Sequence, residues 1–273
     1  MVKTRSVPAK IYTKEFFQTE CERIGKPLKN GIPQRFLYAL KLMNLKKGMN
    51  VLDVGAGRGE LAIRCAQKGA EVKAIDYSRA AVEIAKGNLR VADKGTASRI
   101  VFKKMNAKKL IYPDKYFDIV FMGDVVEHLY PEELRQVFLE IKRVLRSGGK
   151  VIIRTSPNAW LIKPLYFFAR IFFPWWKKHG MHVNEQSFFS LHRNLKLFQG
   201  KTRVFFRPRK NTFSGAVCGF EKVPSRTARL AGRLDKLFDN EVISFLIYQT
   251  PLVLFLGVNL WAVVKIPKER DDF

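Results

Sequence analysis

Cysteine is scarce in this chain: Cys21, Cys65 and Cys218 are the only three in 273 residues, far apart and without a C-x-x-C pair. That excludes a disulfide framework and a zinc knuckle, and it fits a reduced, cytoplasmic compartment. Acidic residues are also few, 24 Asp and Glu against 50 Lys and Arg, which leaves a net charge of +26. Such an excess points to a polyanionic neighbour, nucleic acid or an anionic lipid surface, and says nothing about fold. No apolar run of signal-peptide length follows the basic Lys3, Arg5 and Lys10, so secretion is not expected. Internal repeats and low-complexity tracts are missing too.

What is present is a core-forming composition. A hydrophobic content of 47% excludes a disordered chain, and the length suits one large domain carrying an insertion. Residues 51–150 are nearest to charge balance, which marks them as a packed functional core between basic flanks.

Residues 11–24 and 33–44 have helical apolar spacing and form a leader or lid over 1–45. From 46 onward, strands are expected at 50–54, 71–75, 100–104, 117–122 and 150–154. Helices are expected at 61–66, 79–92 and 131–145, the last stopped by Gly148 and Gly149. Strands separated by such helices imply right-handed βαβ units around a largely parallel sheet.

The run Gly55-Ala56-Gly57-Arg58-Gly59 closes the first strand, and glycines at spacing two let the backbone turn sharply against a ligand. The dinucleotide fingerprint would need glycine at position 60, where the chain has Glu60, which argues against a nicotinamide cofactor. Asp76 ends the second strand 21 residues after Gly55, where a carboxylate can accept from both hydroxyls of a ribose. Glu60 disfavours a diphosphate, so a cationic cofactor with a ribose and no phosphate fits better.

Four ordered segments, Val51 to Glu60, Ile75 to Ser78, Phe117 to Val120 and Leu145 to Lys150, resemble the class I S-adenosylmethionine-dependent methyltransferases. The resemblance is strongest to the small-molecule branch of quinone and sterol methyltransferases. It implies a Rossmann-like, mostly parallel seven-stranded α/β sheet with helices on both faces, here with an aromatic cap in segments at about 156–200 and 222–256. It further implies that Asp53, Gly55, Ala56 and Gly57 line the methionine part of S-adenosylmethionine and that Asp76 holds the ribose. By the same resemblance Tyr77 packs on the adenine, Asn106 and Ala107 border its edge, and the backbone of Gly123 borders the sulfonium.

Asp124-Val-Val-Glu127-His128 follows the fourth strand, at the edge where open α/β sheets bind ligands. If the segment is helical, Asp124, Glu127 and His128 share a face that could bind a divalent cation such as Mg²⁺ or deprotonate a substrate hydroxyl. It resembles the Glu-x-x-Glu-His of ubiquinone-type O-methyltransferases and small-RNA ribose methyltransferases, with a shorter acid in first place. His182 is a further candidate ligand or base, and Glu127 and His128 acting only to orient the loop is the structural alternative.

After Thr155 the pattern changes. Residues 156–184 are dense in aromatics, among them Trp160, Phe167, Phe172, Phe173, Trp175 and Trp176, and Pro164 and Pro174 would open and end a short helix too short to span a bilayer. Flanked by Lys163, Lys177 and Lys178, it suits either a lipid headgroup boundary or a cap packed on the sheet. The basic stretch Lys196, Lys201, Arg203, Arg207, Arg209 and Lys210 could track RNA phosphates, meet anionic lipid or be a solvated surface. Residues 242–264 carry no charge but are interrupted by Pro251 and Gly257, so a helix to about 256 and then a closing strand is expected. The expected activity is O-methylation of a hydrophobic small molecule, a quinone, isoprenoid or lipid precursor, by a peripheral membrane protein. An RNA methyltransferase and a non-catalytic scaffold are the alternatives.

Overall fold

The computed structural model describes residues 6–19, 33–172, 182–207 and 225–268. Seven strands form one sheet: β1 (Asn50–Val54), β2 (Glu71–Asp76), β3 (Ile100–Lys104), β4 (Phe117–Gly123), β5 (Leu145–Thr155), β6 (Lys201–Arg207) and β7 (Asn259–Lys265). Their spatial order is β3-β2-β1-β4-β5-β7-β6, with the first five parallel and β7 antiparallel to both neighbours. This is the mostly parallel, Rossmann-like sheet expected.

Apart from Asp53 and Asp118, the buried runs of β1 and β4 are apolar on both faces, as suits strands covered on both sides. Because side chains alternate, Leu52 and Val54 enter one core layer with Val120, Met122 and the apolar stripe of α6 (Pro131–Val144). Val51, Ile119 and Ile152 enter the other, against α2 (Gln34–Met43) and α3 (Glu60–Gln67). Trp261 of β7 joins that second layer, edge-on to Tyr38. Chain order reverses between β1 and β4, and the crevice at their carboxyl ends is where such sheets bind ligands.

Around this frame lie α1 (Lys14–Thr19), α4 (Arg79–Leu89) and α5 (Lys94–Ser98). The cap carries α7 (Ala159–Phe172), α8 (Phe188–Leu195), α9 (Ser225–Phe238), α10 (Glu241–Tyr248) and α11 (Val253–Leu256).

Two expectations need correction. Gly148 and Gly149 do not stop a helix: α6 ends at Val144 and the chain runs straight into β5. There Gly148 takes φ +73° and a Cβ on Gly149 would sit 2.8 Å from the Arg146 carbonyl. Pro164 lies inside α7 rather than opening it, because Asn158 starts the helix, its Oδ1 accepting from the Trp160 N–H at 3.2 Å. The basic stretch from Lys201 to Arg207 is an edge strand. The Arg203 guanidinium lies 4.5 Å from the Phe205 ring and that of Arg207 3.6 Å from Tyr38, and charged residues on an edge discourage further strand pairing. The expected leader holds a 3₁₀ turn at Ala9–Ile11, then α1 and α2, while residues 20–32 lie outside the described residues. Arg209, Lys210 and the aromatics at 173–176 lie outside the described residues. The uncharged run from 242 forms α10, α11 and then β7, and no helix among the described residues is long and apolar enough to cross a membrane.

Candidate active site

At the β1–β4 crevice a cavity of about 270 Å³ is lined by the glycine turn, Asp53, Asp76, Tyr77, Asn106, Ala107, Gly123, Asp124 and His128. The structure thus brings all the expected cofactor contacts to one wall. Gly55, Gly57 and Gly59 have φ of +73°, +52° and +76°, conformations that side chains resist. A Cβ on Gly55 would lie 2.3 Å from Val125 Cγ2, and one on Gly59 2.5 Å from Phe102. Glycine is therefore required by sterics as well as by φ.

Asp76 holds the turn in place. Its Oδ2 accepts from the Gly57 N–H at 2.9 Å and its Oδ1 from the Ser78 N–H at 2.8 Å. Burial nonetheless raises its pKa above the ordinary carboxylate range, against the lowering by those amides. Asp53 is 3% exposed, and its Oδ2 has no hydrogen-bond partner among the described residues. Burial, and then the neighbouring Asp76 charge, push it up to about 7. One buried and one half-buried carboxylate, the first incompletely satisfied, make this wall a site for a cation or a cluster of donors.

Asp124 departs from expectation. Residues 124–128 are not an α-helix: Asp124 sits at φ +56° and only Val126–His128 form a 3₁₀ turn. Its carboxylate pairs with Arg154 of β5, whose Nη2 also donates to Asn259 Oδ1 at 2.6 Å. Asp124 is therefore outside the group of ligand atoms that converge. That group is Glu127, His128 and His182, whose side-chain donor atoms lie within 4.8 Å of one another.

Glu127 organises the convergence. Its backbone carbonyl accepts from the N–H groups of Val183 and Asn184 at 2.9 and 3.1 Å, which brings His182 beside His128 with ring centroids 4.9 Å apart. Its own carboxyl is buried and accepts from Thr155 Oγ1 at 2.8 Å. Burial, then Asp124, push it up to about 8.

Sequence reasoning missed the residues that roof the cavity. Tyr12 stands edge-on to His128 at 5.9 Å, and its carbonyl accepts from Ser78 Oγ at 2.7 Å. Burial, then Asp76 and Glu127, raise its hydroxyl pKa. Ser6 reaches the Glu133 carboxylate, which also binds Lys108 Nζ at 2.7 Å. Arg35 lines the cavity with a buried Nε that has no partner among the described residues. No local pattern marks Tyr12 or Arg35, because each reaches the site across dozens of residues.

Comparison with known proteins agrees with this geometry. A family model described as "Methyltransferase domain" matches residues 52–153. The chain is 32% identical to the ubiquinone biosynthesis O-methyltransferase of Alkalilimnicola ehrlichii over 148 residues, 53% of this chain and 56% of that one. It is 35% identical to the demethylmenaquinone methyltransferase of Bacillus licheniformis over 135 residues, 47% of this chain and 54% of that one. The matched region spans about half the length of these curated relatives. Among solved structures, a SAM-dependent methyltransferase from Archaeoglobus fulgidus superposes with a TM-score of 0.53 at 21% identity, covering 85% of this chain and 91% of that one. At that identity the likeness concerns the fold alone.

Proposed function

We propose that the chain, whose residues 52–153 match a methyltransferase domain, is a class I S-adenosylmethionine-dependent methyltransferase that methylates a hydrophobic small molecule at a hydroxyl group. The observation that carries the cofactor assignment is the buried, half-satisfied carboxylate of Asp53 beside a glycine turn with no room for a Cβ at Gly55 or Gly59. A ligand carrying ammonium, sulfonium and ribose hydroxyls answers that wall, whereas a diphosphate would meet like charge from Asp53, Glu60 and Asp76.

In this reading Asp76 accepts from the ribose hydroxyls while still holding the turn, since each carboxylate oxygen has a further lone pair. Asp53 faces the ammonium, and the Arg35 guanidinium takes the carboxylate of the same amino acid. Tyr77 covers the adenine, Asn106 and Ala107 border its edge, and the backbone at Ala56 and Gly123 flanks the reacting end. When bound, S-adenosylmethionine supplies an electrophilic methyl carbon, so the chain must align the acceptor, exclude water and accept a proton. His128, on the cavity wall, is the group placed to take that proton, and His182 stands behind it. Glu127, whose pKa is raised by burial and then by Asp124, positions the loop.

The quinone-type relatives, together with the cavity's aromatic roof of Tyr12, Phe16 and Phe17, support a hydrophobic acceptor. The abundance of basic residues supports action at an anionic membrane surface in the cytoplasm. A metal-assisted variant of the reaction would use Glu127, His128 and His182. With Asp124 turned to Arg154, two imidazoles and one carboxylate suit a transition ion better than Mg²⁺.

Incubation with methyl-labelled cofactor and separate lipid, RNA and protein fractions of the source cell tests the reading. Label is expected in the lipid fraction and should survive chelation if the histidines act as bases. RNase-sensitive label would make the acceptor RNA, which the net charge of +26 would favour. Cofactor binding with no label in any fraction would leave a non-catalytic binding protein.

A further inference from the structure

Large hydrophobic side chains stand exposed at seventeen described positions, and ten of them lie on or beside the cap helices. They are not scattered. Trp160 of α7 packs against Phe189 of α8 and Phe255 of α11, with centroids 5.2 and 5.1 Å apart, and all three remain more than a third exposed. On α10, Val242, Phe245 and Leu246 share one exposed face at i, i+3 and i+4. Leu252 joins that helix to α11, and α9 adds Leu230 and Leu237. Isolated exposed apolar residues are ordinary, but a contiguous set on adjoining helices marks an interaction surface.

The charge around this face selects its partner. The described cap segments, 159–172, 182–200 and 225–256, carry eight Lys and Arg against four Asp and Glu. Lys163, Arg193, Lys196, Arg233 and Lys236 are exposed there, whereas Asp235 is buried. A second copy of the chain would bring an identical cationic rim against this one, which opposes self-association. Single-stranded RNA could stack bases on the three rings and set phosphates against the cations, but would leave the aliphatic Val242, Leu246 and Leu252 in water. An anionic bilayer satisfies both, with rings at the acyl boundary and cations among the headgroups.

We propose that the cap face centred on Trp160, Phe189 and Phe255 docks onto an anionic lipid bilayer and holds the site beside the headgroup boundary. The link to the site is short. Asn158 Nδ2 donates to the Leu254 carbonyl and the Ala159 N–H to Gln186, while Val183 and Asn184 pair with Glu127. A hydrophobic acceptor partitioned into the bilayer would thus be concentrated near His128, to whose loop these contacts tie the cap. This last step rests on the proposed acceptor class; the docking itself does not.

Flotation with vesicles of phosphatidylcholine, with and without phosphatidylglycerol, tests the docking. Association with anionic vesicles should exceed that with neutral ones and weaken with salt, as the Debye length falls from about 10 Å at 0.1 M to about 3 Å at 1 M. A salt-resistant part should remain. In W160S/F189S/F255S that part should fall about tenfold or more, because it comes from buried apolar area. Since Trp160 also packs within the cap, F245S/L246S, at two positions more than half exposed, should lower it severalfold at an unchanged melting temperature. Absence of association with either vesicle type at low salt would overturn the proposal, as would full association of both variants. So would a concentration-dependent dimer that the variants abolish without any vesicle binding. Cofactor binding measured without vesicles separates the two readings. If it persists while flotation fails, only the docking is lost; if flotation holds while no lipid is methylated, the acceptor class is wrong.

Discussion

Asp53→Asn separates what the carboxylate costs from what it does. In the folded chain Asp53 is buried at the end of β1, and burial with the nearby Asp76 charge pushes it up to about 7 from the usual 3.8. Between those values the unfolded chain has lost the proton that the native chain keeps, so native stability falls as pH rises through that window. About three pH units at 1.36 kcal/mol each give a loss of about 4 kcal/mol, complete above pH 7 and absent below pH 4. Asparagine has nearly the same shape and does not titrate. An unpaired amide N–H costs about 1–3 kcal/mol at every pH, so the variant should be no more stable than the parent at pH 4. Its relative stability should then climb toward pH 8. Urea melts of both proteins at half-unit intervals give the difference curve, in which the contribution from Glu127 largely cancels and that from Asp76 enters only through its coupling to Asp53. A flat curve, or one that falls with pH, would refute the buried-anion argument. The same variant should bind S-adenosylmethionine more weakly, because the ammonium loses its counter-charge. Near pH 7 the parent should release a proton on binding, seen as a buffer-dependent calorimetric enthalpy, and the variant should release less.

Asp76→Ala removes the acceptor for the ribose together with two amide anchors of the turn, and calorimetry should show affinity weakened by about 1.5–3 kcal/mol. Gly55→Ala combines a left-handed φ with a 2.3 Å clash against Val125. It should destabilise by about 1–3 kcal/mol in thermal melts, and adding Val125→Ala should recover only the clash. Tyr12→Phe keeps the ring on His128 and should leave the acceptor's KM within about twofold, whereas Tyr12→Ala opens the roof and should raise it.

Some of this molecule could be read along the chain and some could not. The parallel strands were legible because each is a short apolar run ended by turn chemistry. The glycine turn and Asp76 were legible because their spacing within one βαβ unit is fixed by strand and helix lengths. Local signals failed where long-range pairing decides the outcome. Lys201–Arg207 is too basic to look like a strand, and becomes one because β7 offers it a partner and the aromatics Phe205 and Tyr38 take its guanidinium groups. Asp124 looked like part of a helical triad, yet a left-handed backbone and Arg154 from β5 turn it aside. The cluster that does form needs His182, 54 residues beyond His128, delivered by two backbone hydrogen bonds to Glu127. Sequence alone determined the five parallel strands and the glycine-turn wall of the cavity, since both follow from patterns within one supersecondary unit. Tertiary structure decided the roof at Tyr12 and Arg35, the histidine pair and the exposed face of the cap, because each is assembled from segments whose separation along the chain leaves no periodic trace.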